Sequence, residues 1–277
     1  MHVRRGLSAS VLLLLVTALS LSPSAAQTVA ATASPFSSDA EAIDFLRHAR
    51  VLSMERVPVG VTEPRKVLLE RDGVRAYAIF RDVDQSIERV RLHDGTFHMK
   101  LHDCALFEVA AYRLAVLLGF DNVPPTVVRS LRSTTGSLQL WVDDAMSERE
   151  RRENDLPLPD QHEWLHQMRL MGLFDTLIAN VDRNPGNYLH APDGKLWFID
   201  HTRAFQMFPS DWSPRTIAFC DRAIWERLRA LDRPTLDAAL GGMLARGEIN
   251  KLAGRIEAVV AHIEAQIAAR GEGEVIL

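Results

Sequence analysis

Apolar and polar positions along the chain change period several times, and each change marks a predicted element. From Val67 to Leu69 and from Ala76 to Phe80, two short apolar runs flank "RDGVR", with Asp72 and Gly73 at the turn. This is the pattern of a β-hairpin in a small antiparallel sheet. Phe107, Ala110, Ala111, Leu114, Leu117 and Leu118 then recur at helical spacing before Gly119, predicting a helix from about Asp103 to Leu118. "VPPTVV" and "SLQLWV" read as two further strands, the second ending near Asp143. The charged, Pro-bounded stretch "DDAMSERERRENDLPLPD" reads as an exposed connection. Beyond it, Trp164, Met168, Met171, Phe174 and Ile178 mark one face of a long helix that runs out near Asn180. "YLHA" and "KLWFI" around "PDG" form a second hairpin, and helices are expected over most of Asp221 to Arg270. A strand-rich half with one helix followed by a helix-rich half predicts an α+β, two-lobed fold, with lobes at 51–143 and 144–277.

The N-terminal end follows a different rule. Arg4 and Arg5 precede an apolar run from Val11 to Leu19, and "SPSAAQ" offers small residues for cleavage before Gln27. This predicts a secretory signal peptide at 1–26, because the apolar run falls well short of the roughly 20 residues a membrane span needs. The expectation is an exported chain with no transmembrane segment after cleavage. Small and polar residues from Gln27 to Ser38 read as a disordered lead-in, with a short helix from Asp39 to about Arg50.

Composition narrows the partners. The chain has 277 residues, 47% hydrophobic and 25% charged, as an ordinary globular protein has. Its formal charge is -4, or -6 once Arg4 and Arg5 are removed, and it has no long basic run. Nothing suggests a nucleic-acid or membrane footprint. Cys104 and Cys220 could pair in an oxidising compartment or remain buried thiols.

Candidate chemistry concentrates in "NVDRNPGNYLHAPDGKLWFIDHTRAF", which begins at Asn180. Pairing of Asn187 to His190 with Leu196 to Ile199 would bring Asn187 and Asp200 together at the open end of the hairpin. One carboxylate and one amide oxygen make a minimal ligand set for a hard divalent cation, with a phosphate completing it. Asp182 would lie beside that cation, where a base orienting a hydroxyl belongs. The same residues also suit a simple turn: Asp182 to Gly186 are all compatible with turns, and Asp200 could close a strand or cap a helix.

The pattern "D-R-x-x-x-N" with the later "I-D" resembles the catalytic loop and metal aspartate of the protein-kinase-like superfamily. "N-x-D-R" is more similar to its atypical branches, the phosphatidylinositol 3-/4-kinase-like enzymes and the Golgi secretory-pathway kinases. "VGVTEPRKVLLERDGVRAYAIFR" resembles the glycine loop and the second and third strands, and "FEVAAYRLAVLLGFDNVPPTVV" the regulatory helix and following strand. The resemblance runs from about Val57 to Phe205.

The resemblance implies Asp182 as catalytic base and Asn187 and Asp200 as ligands of Mg2+ or Mn2+. It also implies ATP as cofactor, held by Gly60 and by a basic residue paired with Glu108 on the regulatory helix, with adenine near Leu140 to Asp143. That basic residue would be Arg81, where the family has Lys, or Lys66 on the preceding strand. "DHT" replaces Asp-Phe-Gly, and Gly60 is the only glycine in "PVGVTEP". Glu108 is also favoured near a helix start by the helix dipole alone, and His201 and Arg203 could contact the site or simply pack. The implied function is an exported kinase acting on a hydroxyl-bearing acceptor, protein Ser/Thr first, with a lipid headgroup or small molecule as other classes. The alternative is a catalytically idle kinase-like module that binds nucleotide or a protein partner.

Overall fold

The computed structural model describes residues 34–57, 63–158, 160–209 and 212–277. The signal-peptide expectation and Gly60 lie outside the described residues. The described residues open with α1 (Asp39–His48), capped by the Ser38 hydroxyl accepting from the Glu41 N–H. Next come β1 (Arg50–Arg56), β2 (Arg65–Arg71), β3 (Val74–Arg81), β4 (Asp84–Arg91) and β5 (Phe97–Cys104). After them lie α2 (Leu106–Leu118), β6 (Thr126–Leu131) and β7 (Thr134–Leu140). The five-stranded sheet has the order β1-β2-β3-β7-β6, and β4 and β5 form a separate antiparallel ribbon.

Alternation along β3 divides the sheet into two faces. Ala76, Ala78 and Phe80 join Val67, Leu69, Val127 and Leu138 in a core closed by Phe45, Leu46 and Ala49 around α1. Tyr77, Ile79 and Arg81 therefore belong to the opposite face, by the two-residue period of a strand. β3 pairs with β7 through Arg81↔Ser137. A Cβ on Gly136 would fall 1.9 Å from the Arg81 carbonyl oxygen, so only glycine lets the two backbones approach this closely.

The second half contains β8 (Met146–Ser147), α3 (Glu148–Glu153), α4 (Gln161–Ile178), β9 (Tyr188–His190) and β10 (Leu196–Phe198). It continues with α5 (Arg222–Ala230), α6 (Arg233–Leu240) and α7 (Arg246–Arg270). A larger core joins α2, α4 and α5 to α7, including Phe107, Leu114, Phe174, Leu177, Phe198, Phe205, Leu228 and Val259. No helix of the described residues is long and apolar enough to cross a membrane.

Most predicted elements are present, with informative differences. α2 begins at Leu106 because Asp103 and Cys104 complete β5, Cys104 pairing with Asp84. It stops where expected, Gly119 taking φ 82° as its left-handed cap. The charged connection is not a bare loop: α3 sits inside it, started by a capping box in which Ser147 and Glu150 satisfy each other's backbone donors. Cys104 and Cys220 are both free buried thiols.

Candidate active site

The hairpin of β9 and β10 is fastened to α4 by side chains reaching its backbone. The Gln167 amide oxygen accepts from the Leu196 N–H at 2.6 Å, and Asn122 donates to the Leu196 carbonyl at 2.8 Å. At the open end, the Ile199 N–H donates to the Asn187 carbonyl at 3.1 Å, so Asn187 and Asp200 flank the last rung. Arg183 closes that end from below. Its Nη1 donates to the carbonyls of both Asn187 and Ile199, and its Nε and Nη2 fork onto Asp175 at 2.8 and 2.9 Å.

The loop before the hairpin is shaped by amide side chains. Asn184 Oδ1 accepts from the Gly186 N–H at 2.9 Å, and Asn184 Nδ2 donates to the Asp182 carbonyl at 3.1 Å. Asn187 Nδ2 donates to the same carbonyl at 3.0 Å. This commits the nitrogen end of the Asn187 amide and leaves its oxygen end as the atom for a cation. The turn chemistry and the candidate ligand are therefore two consequences of the same residues.

Asp182 takes Arg203 Nη1 on Oδ2 at 2.8 Å and the His93 N–H on Oδ1 at 3.3 Å. Arg203 in turn donates from Nε to Asp103 Oδ2 at 2.9 Å. A carboxylate at the end of β5 thus orients the partner of Asp182. Composition and spacing gave no signal for Asp103, because its partner lies far away along the chain.

Above the hairpin is a buried charged cluster. Arg81 places Nη1 3.7 Å from Glu108 Oε1 and Nε 3.9 Å from Asp200 Oδ1. His201 gives Glu108 its backbone N–H at 2.9 Å and its Nδ1 at 3.2 Å. Burial opposes ionisation of Glu108, but the Arg81 guanidinium and the His201 hydrogen bonds hold its carboxyl below the usual range. Asp200 goes the other way. Burial pushes its carboxyl up, Arg81 pulls against that, and the neighbouring Glu108 and Asp103 charges add to it.

Asp200 also sits at φ 61°, a left-handed conformation that Asp tolerates better than most residues. Arg81 Nη1 and His201 Nε2 are buried with no hydrogen-bond partner among the described residues. A buried guanidinium N–H without an acceptor suits an anion such as a phosphate. The oxygens of Asn187 and Asp200 suit a hard divalent cation. The residues present fit both groups.

Lys66 is placed elsewhere. Its ammonium lies 4.2 Å from the centre of the Tyr77 ring and 4.1 Å from that of Trp141, next to the connection between the two halves. No ion pair joins it to Glu108 or Asp200 among the described residues. A cavity of about 380 Å³ opens on the α1 side of that connection, lined by Phe36, Pro124, Trp141 and Trp197 among others. Asp182, Asn187, Asp200, Arg81 and Glu108 do not line it.

No protein-family model matches the chain. "Protein Rv2133c" of Mycobacterium tuberculosis is 29% identical over 122 residues, covering 34% of this chain. The matched stretch spans 44% of that protein, less than half its length. Solved structures resemble the chain over most of its length. One described as the Golgi casein kinase has a TM-score of 0.63 at 16% identity, covering 87% of this chain and 80% of that one. The same kinase with Mn and ADP bound also gives 0.63 at 16% identity, covering 86% and 78%. A hydra Fam20 structure with sugar gives 0.60 at 15% identity, covering 87% and 93%.

The fold is kinase-like. It is the α+β, two-lobed arrangement, with a β-rich N-terminal region and a helical C-terminal region.

Proposed function

We propose that the chain is an exported atypical kinase that transfers the γ-phosphate of ATP to a hydroxyl acceptor. The observation that carries this reading is the meeting of buried Arg81 and Glu108 with part-exposed Asp200, from a strand, a helix and a hairpin end, around a guanidinium nitrogen that makes no hydrogen bond. That nitrogen faces Glu108 at 3.7 Å, too far for a hydrogen bond, so its N–H groups are still open to a phosphate oxygen. Segments 51–143 and 144–277 would be the two lobes.

In this reading Asn187 and Asp200 would hold Mg2+ or Mn2+, which would offset the negative charge of the nucleotide phosphates. Arg81 donates to phosphate oxygens in the role a lysine has elsewhere, and Glu108, fixed by His201, keeps its guanidinium in place. Asp182 accepts a hydrogen bond from the acceptor hydroxyl, aligns it with the γ-phosphorus and receives its proton as the new P–O bond forms and the bond to the leaving oxygen breaks. Arg203 fixes the direction of that carboxylate. Lys66, with Trp141, sits where the base of the nucleotide would lie, near Leu140 to Asp143. Gly60 would cover the phosphates.

Protein Ser/Thr is the proposed acceptor class, in line with the likeness to structures described as a casein kinase. The "N-x-D-R" loop and the apolar run at 11–19 support the atypical branch and export. The test is incorporation of labelled phosphate from ATP into dephosphorylated casein by the purified chain, with Mg2+ and with Mn2+. Incorporation that disappears in Asp200→Ala is the expected result. Thermal stabilisation by nucleotide without transfer under either metal would instead identify an idle nucleotide-binding module.

A further inference from the structure

Outside the candidate active site, the ribbon of β4 and β5 carries a second cluster that the proposed reaction does not use. Asp84 stands directly opposite Cys104 in the antiparallel register, and His102 lies two residues before Cys104 on the same face. The candidate donor atoms of Asp84, His102 and Cys104 all lie within 4.8 Å of one another. His102 Nε2 is 2.9 Å from Asp84 Oδ1. On the other side of the ring, Nδ1 is 3.3 Å from Glu248 Oε1 at the start of α7. The Phe107 ring meets the imidazole at 80° with centroids 4.9 Å apart, fixing its plane.

We propose that Asp84, His102 and Cys104 form a Zn2+ site on this ribbon, with an open fourth position. A carboxylate oxygen, an imidazole nitrogen and a thiolate are the donors zinc takes, and three protein ligands leave one place for water or an exogenous group. A tetrahedral zinc centre holds its donors about 3.5 Å apart, so the 2.9 Å Asp84–His102 pair must open slightly, and donors up to 4.8 Å apart must close in. Asp84 is exposed and can make both adjustments.

Glu248 provides independent support. Metal-bound histidines commonly give their other ring N–H to a carboxylate, which fixes the tautomer and leaves the far nitrogen for the metal. Glu248 is itself held, its Oε2 accepting from the Ala245 N–H at 2.7 Å. The thiolate separates this site from that of Asn187 and Asp200, because sulfur selects zinc and similar ions over Mg2+. Binding forms three metal–ligand bonds and releases the Cys104 thiol proton and the proton on His102 Nε2 to solvent, with no change of oxidation state. The zinc site also borders the candidate active site: the Cys104 N–H donates to the Thr202 carbonyl at 2.9 Å, and Asp103 between the two ligands binds Arg203.

The experiment titrates the full, metal-free chain with Co2+ alone, reading the thiolate-to-metal charge-transfer band in the near ultraviolet. One equivalent should develop the band, one equivalent of Zn2+ should abolish it, and excess Mg2+ should leave it intact. Cys104→Ser should lose the band while Cys220→Ser and Asp200→Ala keep it. Because Cys104 is buried, Asp84→Asn at the exposed position is the second variant, expected to weaken Co2+ binding at least tenfold with the circular dichroism unchanged. Absence of a band in the wild-type chain, a band that survives Cys104→Ser, or unchanged affinity in Asp84→Asn would each overturn the proposal.

Discussion

Arg81, Glu108 and His201 are buried and paired chiefly with one another, whereas Asp182 and Asp200 keep their carboxylates part-exposed, at 16% and 38%, on the loop before the hairpin and at its open end. The first group is an electrostatic unit. It tolerates burial only while every charge has its partner. The second lies on a loop and a hairpin end, and Arg203 keeps Asp103 as a partner when Asp182 changes, so its side chains can be replaced with less loss of fold. Stability and chemistry should therefore separate under mutation.

The largest effect should come from the open group. Asp182→Asn is expected to lower phosphate transfer by about 10²- to 10⁴-fold, the range for a positioned acid or base, while the melting temperature and nucleotide binding stay near wild type. A matching loss of melting temperature would show that the two groups are one structural unit.

Glu108→Gln attacks the buried group. Leaving Arg81 without its carboxylate should cost about 3–5 kcal/mol of stability in urea unfolding. Because the Glu108 carboxyl is depressed in the folded chain, its contribution is fully present above its unfolded value and lost as pH falls toward the folded one. The gap between wild type and Glu108→Gln should accordingly stay constant at neutral pH and narrow below about pH 4.3.

Two backbone substitutions sharpen the contrast. Gly136→Ala would force a Cβ against the Arg81 carbonyl and should cost about 1–3 kcal/mol, measured by thermal unfolding. Ala179 caps α4 at φ 48°, a left-handed geometry that strains a residue with a Cβ. Ala179→Gly should therefore raise stability slightly, by about 0.5–1 kcal/mol, without changing the loop that carries Asp182.

Legibility in the sequence followed the same division. The elements that position Asp182, Asn187 and Asp200 were readable because α4 and the hairpin bury one face each, so apolar residues recur with the period of the structure. The ribbon of β4 and β5 was not readable: nearly all of "DQSIERVR" faces solvent, and β5 buries polar His98 and Asp103 as well as Leu101 and Cys104, so no apolar alternation marks either strand. β1 was missed for the same reason, being exposed along almost its whole length. α3 did leave a signal, the Ser147 and Glu150 capping box, inside a stretch dominated by charge. The partners of the site were the least visible part. That Asp103 orients Arg203, and that His201 locks Glu108, depends on contacts between residues about a hundred positions apart, which no local pattern encodes.

The proposed kinase chemistry stands on a divalent cation held by Asn187 and Asp200 beside a bound nucleotide. It is tested most directly by titrating Mn2+ into the purified chain with and without ADP, following free Mn2+ by electron paramagnetic resonance. The wild-type chain should show one ADP-dependent Mn2+ site, lost in both Asn187→Ala and Asp200→Ala and retained in Asp182→Asn. ADP-dependent binding that persists unchanged when Asn187 and Asp200 are both replaced would contradict it.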